Sequence, residues 1–262
     1  MNEAFRTVLA YSREGKILDE VAIKRIVNTI VQEKGIQKYL KGVYVGETFG
    51  TGIAEMFATA GYNVKNKLLC VSTRNSTYSC NMMFKDYQEG KEVSKQEEML
   101  FKNIFLLQIL LHEIEHINQK QIKSKGKGIE HDLIVLGLKN TNNQTFESYR
   151  CDPTERLAEI KSWDVICSFL ESFKNAYPSL YNYALEKKKY SITSSYMDES
   201  GYIEEGPTYR FAKLVSPPRK LIIPKTIRSI HELEKEFTGT EVRLIYGLPV
   251  SKEEFDLYVS KK

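Results

Sequence analysis

The stretch from Ser94 to Gly128 constrains this chain more than any other part of it. Apolar residues fill positions 99–117, so a helix built from them is apolar on most of its faces. Ser94 and Glu97 stand at the spacing of a capping box, in which the serine hydroxyl accepts from the backbone N–H three residues on. Lys120, Lys123 and Lys125 lie near the other end, where cations suit the helix dipole, and Gly126 and Gly128 close it. A helix with so little polar surface belongs at the centre of a fold, with other elements packed around it.

Two more helices are predicted. Residues 18–34 place Leu18, Val21, Ile23, Ile26, Val27, Ile30 and Val31 near helical spacing, with Asp19 at the start and Gly35 at the end. Asp152 precedes Pro153 and stands three residues before Glu155, which is the pattern of an N-cap, a first-turn proline and a capping-box glutamate. Leu157, Ile160, Val165, Ile166, Phe169, Leu170 and Phe173 continue that helix, and Trp163 inside it is expected in the core. Residues 68–74 and 76–84 read as two strands joined by a turn at Asn75-Ser76, because Tyr78, Cys80, Met82 and Phe84 alternate with smaller or polar residues. The expected class is α+β, mostly helical.

From about residue 190 the texture changes. Residues 201–214 suggest a short hairpin, Pro217, Pro218 and Pro224 punctuate an irregular stretch, and Ser251 and Glu254 suggest a last helix. The chain therefore divides into a main domain, 1–190, and a small accessory region, 191–262.

Composition narrows the function classes. A length of 262 residues with 42% hydrophobic and 27% charged residues excludes wholesale disorder and rod-like folds. The net charge of +4 is too small to imply nucleic acid by itself. Tyrosines 177, 181, 183, 190 and 196 interleave with Lys187, Lys188 and Lys189, and this reads as an amphipathic helix rather than a stacking platform for bases. The glycine-rich segment 45–52 lacks the Gly-Lys-Ser/Thr ending of a phosphate loop. The most apolar run, 104–111, is broken by Gln108 and falls far short of the ~20 residues a membrane span needs. Residues 1–16 lack the apolar core and cleavage site of a signal peptide. The four cysteines form no CxxC pair, so reduced thiols and a cytoplasmic location are expected, with a Cys70–Cys80 bridge open only if the predicted hairpin forms.

The central helix contains His112-Glu113-Ile114-Glu115-His116, an HExxH pattern. Residues four apart on a helix are rotated by only about 40°, so the two imidazoles project from one face, one turn apart. Two such nitrogens can reach a single Zn²⁺ at about 2.0–2.1 Å. Glu113 lies about 100° further round, poorly placed as a third ligand but able to accept a proton from a water beside the metal. A third protein ligand is then needed. The metzincin extension is absent, since positions 119 and 122 are Gln119 and Ile122. His131 and His231 are weak candidates. Glu155 and Glu159 stand one turn apart on the later helix, so one can ligate while the other orients a histidine, and Ala158 between them permits close approach. Glu155 is preferred and Glu159 is the second choice. Peptide hydrolysis also needs a group to stabilise the oxyanion, for which Tyr149, Arg150, Arg156 and Tyr246 are candidates.

HExxH followed by a glutamate on a later helix resembles the gluzincin-type zinc metallopeptidases. The form Glu155-Arg156-Leu157-Ala158-Glu159 is similar to the second motif of the ImmA/IrrE-type peptidases of phage and mobile elements. The two motifs cover about ten residues, the gap between them is longer than in compact members, and Glu115 stands where the family has glycine. The resemblance implies a zincin-like fold, with an edge strand beside the HExxH helix that binds substrate in extended form, and residues 68–74 are placed for that strand. It implies one Zn²⁺, a protein or peptide substrate and hydrolysis with Glu113 as general base. A zinc-holding regulatory protein without turnover is the alternative.

Overall fold

The computed structural model describes residues 1–50, 58–125, 153–196, 210–211, 242–245 and 248–250. They fall into two compact units. The first comprises 1–121 and 161–183, and the second 122–160 and 184–262. The chain thus passes between units inside three helices, whereas the sequence suggested one boundary after residue 190.

The first unit opens with helices α1 (Asn2–Arg13) and α2 (Glu20–Glu33), which pack on each other. Asp19 caps α2 as expected, its carboxylate accepting from the Ala22 N–H at 2.8 Å. Ala22, Ile23, Ile26, Val27, Ile30 and Val31 are buried on one stripe, at the spacing read from sequence. The helix stops at Gly35, whose φ of +67° is left-handed and suits a residue without a Cβ.

A three-stranded sheet comes next, built from β1 (Gly42–Gly46), β2 (Ala60–Asn63) and β3 (Leu68–Ser72). Its order is β1-β3-β2, with β1 parallel and β2 antiparallel to β3. Leu69 and Val71 alternate on one buried face of β3. The segment placed at the sheet edge by the family resemblance is therefore the middle strand, and β1 and β2 are the edges.

The predicted second strand at 76–84 is a helix, α3 (Thr73–Gln88). The Ser72 hydroxyl ends β3 and caps α3, accepting from the Asn75 N–H at 3.1 Å. Positions four apart, such as Cys80 and Phe84, fit both a strand and a helix. The residues between them decide: Tyr78 and Met82 are exposed, while Asn75, Ser76, Cys80, Phe84 and Tyr87 are buried. The hairpin that would have carried a Cys70–Cys80 bridge is absent, and none of Cys70, Cys80 and Cys167 is in a disulfide.

Helix α4 (Lys95–Lys125) spans 31 residues. Ser94 caps it, accepting from the Glu97 N–H at 3.1 Å. Burial continues around it, through Met99, Phe101, Ile104, Leu107, Leu110, Leu111, Ile114 and Ile117, so it is the central element of the first unit. Helix α5 (Pro153–Leu170) meets it through Gln108, whose amide donates to the Ser162 hydroxyl at 3.0 Å. A 3-10 turn (Glu171–Phe173) leads to α6 (Pro178–Ile192). Trp163 is core, as expected, beside the ring of Tyr183. Tyr183 also meets Tyr87 and Phe101, which closes an aromatic cluster.

The second unit contains an antiparallel sheet of β4 (Thr193–Tyr196), β5 (Arg210–Phe211), β6 (Val242–Ile245) and β7 (Leu248–Val250), in the order β5-β4-β6-β7. Of the predicted hairpin at 201–214 only β5 is described, and the predicted helix at Ser251–Glu254 lies outside the described residues. No helix among the described residues is long and apolar enough to cross a membrane. The protein is α+β and mostly helical, as expected.

Candidate metal centre

Helical geometry fixes the site. With His112 taken as zero, His116 lies at about 40°, while Leu110, Ile114 and Ile117 fall between about 140° and 200°. Those three side chains are fully buried, so the opposite face of α4 is anchored in the core and the two imidazoles are held on the face that remains half-buried. The hydrophobic pattern that makes α4 central thereby aims the histidines.

The two Nε2 atoms are 3.1 Å apart. The rings stand at 79° to each other, with centroids 4.8 Å apart. Two nitrogens bound to one tetrahedral zinc at about 2.0–2.1 Å would be about 3.3–3.4 Å apart, so a shift of a few tenths of an ångström separates the arrangement from a bidentate pair. A carboxylate oxygen of Glu113 lies with the two imidazole nitrogens in a cluster whose members are all within 4.8 Å of one another. His112, Glu113 and His116 together could hold a metal ion. Two imidazole nitrogens and a carboxylate are donors that divalent transition metals take.

Three neighbours shape the site. Gln119, buried and one turn beyond His116, places its Oε1 at 3.1 Å from His116 Nδ1. Glu115, only 4% exposed, forms an ion pair with Lys34 at the end of α2 and accepts from the Asn118 amide at 2.9 Å. That pair accounts for a charged residue inside the motif: Glu115 ties α4 to α2 and leaves the histidine face alone. On β3, the Cys70 thiol is raised above its ordinary range, chiefly by burial and also by the charge of Glu113.

Glu155 and Glu159 occupy the first two turns of α5, both half-buried and one helical turn apart, in the second unit. Arg156 between them is buried. Asp152, Tyr149, Arg150, His131, His231 and Tyr246 lie outside the described residues. The sequence had pointed to Gln119 only as a departure from the metzincin pattern. Its spacing of three from His116 was the signal that it shares the histidine face.

Comparison with protein-family models, curated proteins and solved structures finds no match to this chain.

Proposed function

We propose that the protein is a zinc-dependent metallopeptidase, with His112, His116 and Glu155 as ligands and Glu113 as general base. The observation that carries this reading is the 3.1 Å spacing of the His112 and His116 Nε2 atoms with the Glu113 carboxylate beside them. The choice of Glu155 rests on the sequence pattern, a glutamate at the start of the helix that follows HExxH. Glu159, one turn from Glu155, is the second choice and otherwise orients a ligand.

Zinc held here would supply a Lewis acid that lowers the pKa of water toward about 7 and polarises a substrate carbonyl. Glu113 accepts the proton of the attacking water and delivers it to the departing amine. Its burial keeps bulk water from competing for the carboxylate. The His112–His116 face is only half-buried, which leaves it open to an extended peptide, and the anchored opposite face keeps the two rings from drifting apart. The substrate class is a protein or peptide, and the Cys70, Cys80 and Cys167 thiols suit a reducing, cytoplasmic compartment.

The test is cleavage of a proteome-derived peptide library, read by mass spectrometry, with zinc-loaded wild type and Glu113→Gln. The account expects cleavage by wild type, a rate about 10²–10⁴-fold lower in the variant, and equal zinc content in both. Equal cleavage by both proteins removes Glu113 as base. No cleavage by a zinc-loaded wild type contradicts catalysis and favours a metal-holding regulatory protein.

A further inference from the structure

Gln119 has no part in the HExxH pattern, yet it is the residue whose contact bears most directly on how His116 can act. A neutral imidazole carries one N–H and one bare nitrogen, and the partner of one nitrogen decides the state of the other. Gln119 Oε1 lies 3.1 Å from His116 Nδ1. A carbonyl oxygen only accepts, so this contact requires the proton on Nδ1 and leaves Nε2 with its lone pair. Nε2 is the nitrogen that faces His112 Nε2 at 3.1 Å.

We propose that Gln119 is a positioning residue that presets His116 as the Nδ1–H tautomer, with the Nε2 lone pair aimed at the metal position. This rests on the zinc reading for its purpose, though not for its geometry. The fold supports the arrangement locally. Gln119 lies about 20° from His112 around α4, on the histidine face, and is 7% exposed, so water competes poorly for the Nδ1 proton. Metal-binding histidines ordinarily meet such a partner in a carboxylate, a backbone carbonyl or water. Here a side-chain amide on the same helix fills that place, which needs no second element.

The experiment reads the tautomer and the metal separately. Long-range proton–nitrogen correlation spectra of metal-free, nitrogen-15-labelled wild type, at a pH where His116 is neutral, should show His116 protonated on Nδ1. After zinc is added, His116 should keep the proton on Nδ1. His116 protonated on Nε2 in the metal-free protein overturns the proposal, whatever the metal does. Zinc affinity, measured by competition with a chromophoric chelator, should fall about 10–100-fold in Gln119→Met, which keeps the volume and loses the acceptor. Gln119→Glu restores an acceptor and should return affinity to within about threefold of wild type. A folded Gln119→Met that binds zinc as well as wild type also overturns the proposal. If wild type binds no zinc while His116 shows the Nδ1 proton, the zinc reading fails and the positioning by Gln119 stands.

Discussion

Asn103 offers a demanding test of how α4 is held. It is fully buried, and its side-chain amide makes three hydrogen bonds to the end of α1 and the link to α2. Its Oδ1 accepts from the Leu18 N–H at 2.9 Å, and its Nδ2 donates to the Lys16 carbonyl at 2.8 Å and the Ser12 hydroxyl at 3.0 Å. Asn103→Ala takes those partners away, from the buried Leu18 N–H and Ser12 hydroxyl and from a part-buried bond to the Lys16 carbonyl. Ser12 still donates to the Val8 carbonyl at 2.7 Å, so its loss is small. The Leu18 N–H and the Lys16 carbonyl each forfeit a bond, at about 1–2 kcal/mol apiece. The space left by the amide adds about 1 kcal/mol. The sum is about 3–5 kcal/mol, a large share of the ~5–15 kcal/mol by which a protein is stable. In urea, with a slope near the upper end of about 1–3 kcal/mol per molar, the midpoint should fall by about 1 M or more. Asn103→Asp should be no better, because it keeps the acceptor for Leu18 but sets an anion against the Lys16 carbonyl. A loss below about 1 kcal/mol for Asn103→Ala, with the slope unchanged, would refute the reasoning.

Two further outcomes are expected from the same structure. Lys34→Met strands the Glu115 carboxylate and should cost about 2–3 kcal/mol, less than for a wholly buried pair because Lys34 is a quarter exposed and Asn118 still donates; Lys34→Met with Glu115→Met should return to within about 1 kcal/mol of wild type, and a double variant worse than the single one would contradict this. Burial pushes the Cys80 thiol up to about 12, with Lys102 opposing. Above about pH 9 the unfolded chain loses that proton while the folded chain keeps it, so stability falls as pH rises from 9 toward 12, by about 1 kcal/mol per unit. Urea midpoints at pH 8.5 and 10.5 should show a shallower decline in Cys80→Ala, and identical slopes would exclude Cys80 as a source.

What the sequence revealed was local. The capping residues Asp19 and Ser94 and the stripe of α2 are decided within a turn or two of helix, and all were legible. The His112–His116 pair was legible for the same reason, since i and i+4 meet on any straight helix. The error at 76–84 arose where two periods share positions: Cys80 and Phe84 satisfy both, and only the exposure of Tyr78 and Met82 separates them. Strand order depends on pairing between distant residues, so the central place of β3 could not be read from residues 68–74 alone. Strand β1 runs into the glycine-rich stretch, and its pairing with β3 arises from contacts 26 residues apart, as between Gly42 and Leu68. The ion pair of Lys34 with Glu115 joins residues 81 apart, beyond any local pattern.

The central claim is that His112 and His116 hold zinc. The most direct measurement is metal content by elemental analysis of folded wild type, His112→Ala, His116→Ala, Glu155→Gln and Glu159→Gln, each incubated with Zn²⁺ and freed of excess. The account predicts one zinc per wild-type chain, none in either histidine variant, and loss in Glu155→Gln with retention in Glu159→Gln. No zinc in a folded, zinc-incubated wild type, or undiminished zinc in both histidine variants, would contradict it.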